Sequence, residues 1–176
     1  CALGDITETG CTGDTFTTTS TTVYGSSCTV SADGAASVSV AASTFTDATG
    51  NANSVSNTYS WTQDDTGPTM TITSNTVSSG ASTTTAAIVL IYTSNEATTN
   101  FALADITETG CTGDTFTTSS TTVYGSTCTV SADGAAQVSV AASTFTDASG
   151  NANSVSNTYA WTQDDTGPTM TITSAT

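Results

Sequence analysis

The hydrophobic residues of this chain recur mostly at every second position, within short segments bounded by polar residues. Met70 and Ile72 alternate with threonine in residues 69–74 (TMTITS). A longer apolar run, residues 86–93 (AAIVLIYT), alternates in the same way. Side chains two apart lie on one face of a strand. The run therefore predicts a central strand with one face formed by Ile88, Leu90 and Tyr92 and the other by Val89 and Ile91.

Later segments continue this alternation. Val138 and Val140 alternate in AAQVSVAA, and Tyr159 and Trp161 share one face of NTYAWTQDD. FALADI places Phe101, Leu103 and Ile106 in the core, around a helical turn. We also expect core positions at Phe116 and Val123, on either side of a Ser/Thr-rich turn, and at Phe145, before the DASGN turn. About seven short strands separated by Gly, Asn, Asp and Ser turns predict an all-β fold, a β-sandwich.

The chain repeats itself with a period of 100 residues. Residues 1–76 align with 101–176 with eight differences, at positions 1, 4, 19, 27, 37, 49, 60 and 75 and their partners. A period of this length is too long for a solenoid unit and suits a whole sandwich domain. The sequence therefore predicts a tandem array of β-sandwich units.

The two prolines, Pro68 and Pro168, indicate where the units join. Each lies in an Asp-Thr-Gly-Pro segment ahead of a short predicted strand, and proline stiffens such a link. We therefore expect a partial unit at residues 1–66 that lacks its first strands, a complete unit at 67–166, and the first strand of a following unit at 167–176.

The composition restricts the partners. The chain has no Lys, Arg or His and a formal net charge of −15. No side chain can pair with a phosphate, so we expect no nucleic-acid binding. No apolar run reaches about 18 residues, so we expect no membrane insertion. The carboxylates must be solvated, screened by salt or bound to metal ions.

The same composition argues against catalysis. Without histidine the chain cannot form a Ser–His or Cys–His arrangement. It also has no Gly-rich phosphate loop. We predict that the protein is not an enzyme.

Four of the five cysteines form two equivalent pairs. Cys11 and Cys28 are 17 residues apart, as are Cys111 and Cys128, and each pair brackets two short β segments around a polar turn. Neighbouring strands would bring the pair to disulfide distance, so we predict disulfides within each unit and an oxidising, extracellular location. Free buried thiols are the alternative. Cys1 stands where the second copy has Phe101, and is either a small core residue or a bridge to another chain.

Two segments carry a family resemblance. SNEATTNFALADIT (94–107) and FTDASGN (145–151) resemble the bacterial-type Ig-like repeat of large extracellular adhesins and biofilm-associated surface proteins, which also occurs in marine microbial and algal surface proteins. The resemblance implies tandem sandwiches at the cell surface, an adhesive or structural role, and stiffening by calcium. The cysteine pairs depart from that family, which is usually poor in cysteine.

Oxygen-bearing side chains suggest where calcium would bind. Asp147 and Asn151 lie across a Gly turn, where side-chain and backbone oxygens could surround a hard cation. Further donors lie at the joint and in the preceding segments: Asp164, Asp165, Glu96, Asp105 and Glu108, with Asp47, Asn51, Asp64, Asp65, Asp5 and Glu8 in the first copy. The alternative is an ordinary tight turn, which uses the same residue types.

Near-identical copies favour a structural role. We predict an extracellular fibre, filament or stalk made of stacked units, whose partners are other copies of the same protein. Head-to-tail contact or exchange of the strand at 167–176 would join the copies. The alternative is a cell-surface adhesin module that binds a glycan or a partner surface. A flat Thr-rich face that binds ice or mineral is a weaker possibility. The Ser/Thr-rich surface also offers sites for O-glycosylation.

Overall fold

The computed structural model of the protein describes residues 1–174, with the side chains of Asp14 and Asp114 excepted. It divides into two compact units, Cys1–Thr66 and Gly67–Thr176. Within residues 1–174, both units are built from β-strands with a single 3₁₀ turn in each. Among the described residues no helix has the length and hydropathy needed to span a membrane.

The second unit is a sandwich of two four-stranded sheets. One sheet has the order β10-β11-β8-β6, with all neighbours antiparallel. The other has the order β7-β13-β12-β9, in which only β7 and β13 are parallel. The strands are β6 (Met70–Ser74), β7 (Ser82–Thr83), β8 (Ala87–Ser94), β9 (Ile106–Thr109), β10 (Thr112–Thr118), β11 (Val123–Thr129), β12 (Gly134–Val140) and β13 (Tyr159–Gln163).

This architecture confirms the predicted all-β, Ig-like sandwich. The alternation in β8 is the clearest example, because Ile88, Leu90 and Tyr92 are fully buried while Val89 lies on the outer face. On the opposite sheet Val138 and Val140 of β12 and Trp161 of β13 face the same core. Each sheet buries one face, so the hydrophobic residues fall at every second position.

An aromatic cluster fills one end of this core. The ring centroid of Phe101 lies 5.0 Å from those of Tyr124 and Phe145, and 5.7 Å from those of Tyr92 and Phe116. Phe101 lies two residues before the 3₁₀ turn at Leu103–Asp105, the helical turn predicted in FALADI. Edge-to-face contacts of this kind stabilise a core beyond the area that they bury. Leu103 and Ile106 are half-buried rather than central.

The first unit contains the counterparts of only part of this sandwich. It has a three-stranded sheet, β1-β4-β5, and a two-stranded sheet, β2-β3. They match β9-β12-β13 and β10-β11 in register. The elements are a 3₁₀ turn (Leu3–Asp5), β1 (Ile6–Thr9), β2 (Thr12–Thr18), β3 (Tyr24–Thr29), β4 (Gly34–Val40) and β5 (Tyr59–Gln63).

Residues 167–174 repeat the sequence of 67–74 but form no strand. Met70 and Ile72 of β6 are 3% and 1% exposed, whereas Met170 and Ile172 are 90% and 91% exposed. The same local sequence therefore adopts β structure only where β8 lies beside it.

Candidate functional site

The cysteine pairs each tie a β-hairpin. Cys11 and Cys28 have Cα atoms 5.6 Å apart, and so do Cys111 and Cys128; both pairs are at disulfide distance. Cys128 lies in β11 and is fully buried, while its counterpart Cys28 in β3 is half-buried. The pairs thus join the two strands that the sequence places around a polar turn. Cys1 is a free and exposed cysteine, not a core residue.

The DASGN turn is organised around the carboxylate of Asp147. Its Oδ1 accepts hydrogen bonds from the backbone N–H groups of Ser149 (2.8 Å) and Asn151 (2.9 Å), and its Oδ2 accepts one from Asn151 Nδ2 (2.9 Å). Burial acts to raise the pKa of Asp147, but the hydrogen bonds from Asn151, Gly150 and Ser149 outweigh it and hold the pKa below its usual value.

The first unit repeats this turn in an exposed setting. Asp47 Oδ1 accepts hydrogen bonds from Asn51 N (2.9 Å) and from Thr49 N and Oγ1 (2.9 and 2.8 Å), and Oδ2 accepts one from Asn51 Nδ2 (2.9 Å). The Asn51 and Thr49 donors lower the pKa of Asp47 well below its usual range. In both units the turn therefore supplies hydrogen-bond donors that stabilise its carboxylate.

Asn153 supports the other side of this turn. Its Oδ1 accepts hydrogen bonds from the N–H groups of Thr144 (2.8 Å) and Phe145 (3.0 Å), and its Nδ2 donates to the carbonyls of Ala141 and Ser154 (both 2.8 Å). The side chain is 2% exposed. This buried amide fixes the loop that carries Phe145 into the core. The sequence analysis missed it, although NANS follows the turn in both copies.

Other carboxylates predicted to bind metal have local partners. Asp105 Oδ2 accepts a hydrogen bond from Ala102 N (2.8 Å), as Asp5 does from Ala2 N (2.7 Å), and so caps the 3₁₀ turn. The Oε2 atoms of Glu108 and Glu8 accept from the backbone N–H groups of glycines 113 and 13 (both 2.7 Å). Their Oε1 atoms are buried and have no hydrogen-bond partner among the described residues.

One pair of predicted ligands comes together within the second unit. A carboxylate oxygen of half-buried Glu96 lies within 4.8 Å of one of buried Asp147. The remaining predicted ligands follow the last strand of each unit: Asp164 and Asp165 are exposed after β13, and after β5 Asp65 is exposed and Asp64 is half-buried. Neither Asp164 nor Asp165 belongs to the carboxylate group that contains Glu96 and Asp147.

The segment after the last strand is held by an aspartate that the sequence analysis did not single out. Asp133 Oδ1 accepts a hydrogen bond from Asp165 N (2.8 Å), and Oδ2 accepts one from the Thr166 hydroxyl. The Thr166 and Asp165 donors lower the pKa of Asp133, while the hydrogen bond and negative charge of Asp133 raise the pKa of Asp165. Asp33 binds Asp65 N (2.7 Å) and the Thr66 hydroxyl in the same way.

The first unit has an open apolar face where the second unit has a core. A groove of about 660 Å³ is lined by residues that include Cys1, Phe16, Tyr24, Val40 and Asn57. Tyr59 is 66% exposed whereas its counterpart Tyr159 is 6% exposed. The aromatic residues of the two copies, which have the same sequence, therefore differ in burial, because residues 1–66 contain no counterpart of β6 and β8.

Comparison with known proteins identifies one family. The bacterial Ig-like domain matches residues 64–162, more than half of the chain. The match includes the Asp-Thr-Gly-Pro segment at residues 65–68, all strands from β6 to β12 and most of β13. No curated protein and no solved structure matches the chain.

Proposed function

Because the chain belongs to the bacterial Ig-like domain family, we propose that it is an extracellular structural repeat protein that builds a fibre, filament or stalk from stacked Ig-like units. The family is typical of surface and adhesin-like modules and is generally non-enzymatic. The observation that carries the structural role is the near identity of residues 1–76 and 101–176. Identical copies extend length and multiply contacts without creating a distinct site in either copy.

The disulfides and the charge support an extracellular location. Paired cysteines persist in oxidising compartments, and both pairs are at disulfide distance. A net charge of −15 without any Lys, Arg or His is best tolerated where salt screens it. The absence of basic side chains also argues against a nucleic-acid partner.

Electron microscopy of the native material tests this function. Long fibres with a bead spacing of one or two Ig-like units are expected in untreated samples, and the same material is then imaged after treatment with a reductant or a chelator. The response to each reagent would show whether disulfides or metal ions hold the assembly. Isolated short rods that never associate would overturn the filament and leave a cell-surface stalk.

Calcium is the cofactor that we propose for this assembly. Hard cations prefer oxygen ligands, which the carboxylates of this chain supply. Carboxylate oxygens of Glu96 and Asp147 lie within 4.8 Å of each other, and the chain has no Lys, Arg or His side chain to neutralise their charges. We expect millimolar Ca²⁺ to raise the melting temperature more than Mg²⁺ at equal ionic strength. The Glu96→Gln variant should lose this difference, whereas Asp164→Asn should keep it. An equal response to both ions would argue for screening alone.

An adhesin module is the second candidate. The observation that favours it is the family match, since bacterial Ig-like domains suggest surface or adhesin-like modules. A glycan array probed with the full chain tests this candidate. Saturable binding of a defined glycan would support it; an array without signal would leave the structural role alone.

A further inference from the structure

The described carboxylates of the second unit lie away from the outward faces of its two sheets. Most lie in the segments between and after the strands, namely Glu96, Asp105, Asp133, Asp147, Asp164 and Asp165. Glu108 belongs to β9, but it pairs with fully buried Val138 and so shares the inward face. The side chain of Asp114, at the irregularity in β10, is outside the described residues.

The outward side of the β10-β11-β8-β6 sheet is made of threonine and small or aliphatic residues. Its described outward positions are all Thr, Val, Ile, Ala or Gly, and we call this surface the neutral face. Residues paired across strands project from the same side, so the pairs form rows. In the middle of the face Thr73 lies opposite Ile91, while Val89 lies opposite Thr127, which in turn lies opposite Thr115.

Aliphatic side chains occupy the centre of the neutral face. Val89 and Ile91 lie in β8 and Val123 lies in β11, and these are the two central strands of the sheet. Val89 is 47% exposed. The described outward side chains of the edge strands β6 and β10 are threonines. An apolar centre within a polar rim is the usual anatomy of a protein–protein interface.

Threonine hydroxyls of this face already have partners within it. Thr115 Oγ1 and Thr127 Oγ1 lie 2.9 Å apart, and Thr117 Oγ1 donates to the carbonyl of Gly125 at 3.4 Å. Burying a polar group is costly mainly when the group is left without a hydrogen-bond partner. These hydroxyls keep their partners when the face is covered, so another protein can displace water from them at low cost.

The charge of the chain indicates which partner suits a surface without carboxylates. The chain carries 15 carboxylates and no Lys, Arg or His, so two copies repel each other wherever their carboxylates meet. Contact through the neutral face keeps the described carboxylates of both copies out of the interface. A basic partner would instead be attracted to the carboxylates that lie elsewhere on the unit.

We propose that the neutral face joins two copies of the protein side by side, with the Val89 and Ile91 strip of one copy packed on the same strip of the other about a twofold axis. The inference rests on the proposed function, to which it adds a lateral contact between arrays. Every complete unit of an array would carry this face, so that weak contacts reinforce one another along its length.

The outward face of the other sheet provides a matched control. Its described outward positions are also uncharged, but they include no Val, Ile or Leu, and therefore give no aliphatic centre. Gln137 is exposed in β12, which is a central strand of that sheet as β8 is of its own. The two faces thus differ in the feature that the proposal uses.

Sedimentation equilibrium of the 176-residue chain tests the contact. We expect a reversible equilibrium between monomer and dimer. Val89→Asp and Ile91→Asp each bring two like charges together, one from each copy, and should weaken dimerisation about tenfold or more. Gln137→Asp adds the same charge to the control face and should leave the dimer unchanged. A chain that stays monomeric up to its solubility limit would overturn the inference.

Thr73→Asp keeps the test decisive if a charge on β8 disturbs the fold. Thr73 is exposed on the edge strand β6, directly opposite Ile91, and edge strands tolerate charged side chains. This variant should keep the melting temperature and still weaken the dimer. Dimerisation that is unchanged in both Thr73→Asp and Val89→Asp would place the contact elsewhere and overturn the inference.

Engineered cysteines report the contact directly. In a Cys1→Ser background, mild oxidation should link Val89→Cys chains into disulfide dimers, because the two strips face each other. Gln137→Cys chains, whose residue 137 is also exposed, should remain largely unlinked. Equal yields of linked dimer from both variants would show random collision and contradict the proposed orientation.

Salt and chelator separate this contact from one held by metal ions. Raising the ionic strength from about 0.01 M to about 0.15 M shortens the Debye length from about 30 Å to about 8 Å. The dimer should become stronger, because repulsion between the carboxylates outside the interface is screened. A chelator should leave the dimer intact. A dimer that dissociates in chelator would overturn the inference and assign the contact to calcium.

Microscopy distinguishes failure of this inference from failure of the proposed function. Fibres that run singly, without lateral pairs, would reject the neutral face as an interface and leave the structural role intact. Short rods paired side by side would support the inference and reject the fibre. Monomers that adsorb to growing ice through this Thr-rich face would replace the second copy by an ice surface.

Discussion

The side-chain amide of Asn157 binds the backbone of Ile72 at two atoms, accepting from its N–H at 2.7 Å and donating to its carbonyl at 3.0 Å. The two residues are 85 positions apart, and β6 lies on the outer edge of its sheet. An edge strand lacks one set of ladder partners, and here a side chain supplies a pair of them. Asn157 thus fixes both the position and the register of β6.

We expect Asn157→Ala to loosen β6. The change removes two hydrogen bonds, worth about 1–3 kcal/mol together, and leaves Ile72 N–H without this acceptor. Amide hydrogen exchange should show faster exchange across Thr71, Ile72 and Thr73 than across β12. Asn57→Ala is the matched control, since its unit has no β6 counterpart, and should leave the stability unchanged. Unaltered exchange at Ile72 in Asn157→Ala would contradict this role.

Phe101 is expected to contribute most to the stability of the second unit. Its ring contacts four other rings, and removing such a side chain from a core costs about 3–5 kcal/mol. Denaturant unfolding of Phe101→Ala, followed by the fluorescence of Trp161 in a Trp61→Phe background, should show this loss. Val89→Ala, on the outer face, should change the free energy of unfolding by under about 1 kcal/mol. Similar losses in both variants would contradict the assigned core.

The two disulfides should differ in their resistance to reduction. Cys128 is fully buried whereas Cys28 is half-buried, and a thiolate must reach a sulfur to reduce the bond. Mild reductant should therefore open Cys11–Cys28 first, as judged by alkylation and peptide mass spectrometry. Equal rates for both bonds would show that the hairpins open independently of burial.

Removing the buried bridge should also destabilise its unit. The double variant Cys111→Ala with Cys128→Ala frees a loop of sequence separation 17, which corresponds to about 3 kcal/mol in the chain-entropy model. Calorimetry should show a lower melting temperature for the second unit. The equivalent double variant at Cys11 and Cys28 is the control, and should leave the transition of the second unit in place.

The DASGN turn should contribute stability in a pH-dependent way. The folded pKa of Asp147 is lowered, so the folded state binds fewer protons than the unfolded chain, whose carboxyl has a pKa of about 3.9. The contribution is therefore present above about pH 4 and is lost as the pH falls through the folded pKa. The difference in melting temperature between the protein and Asp147→Asn should be largest near pH 6 and shrink towards pH 2.

Asp164→Asn is the control for this measurement, because that side chain is exposed after β13. Its difference from the unmodified protein should stay small across the same range. A constant difference for Asp147→Asn at all pH values would indicate that the variant acts through packing alone.

Much of the fold follows from local patterns. The alternation in β8 and β12, the paired cysteines and the Asp-x-x-Gly-Asn turn each require only neighbouring residues. A strand presents alternate side chains to opposite faces, so periodicity alone identifies the inward face. The spacing of 17 residues likewise fits a hairpin with one cysteine directly before its first strand and the other in its second strand. By contrast, the two-residue strand β7 is too short to leave a periodic signal.

Local sequence patterns therefore account for most of the strands, their inward faces, the cysteine pairs and the repeated unit. They do not show which inward faces are covered, because coverage depends on strands that are distant in the chain. Met70 and Met170 have the same neighbours in the sequence, but Met70 is 3% exposed and Met170 is 90% exposed. The reason is that only Met70 has β8 beside it. Likewise, Asn157 meets Ile72 and Asp133 meets Thr166 only after the sheets assemble. Long-range pairing is a property of the folded chain, and a local pattern cannot encode it.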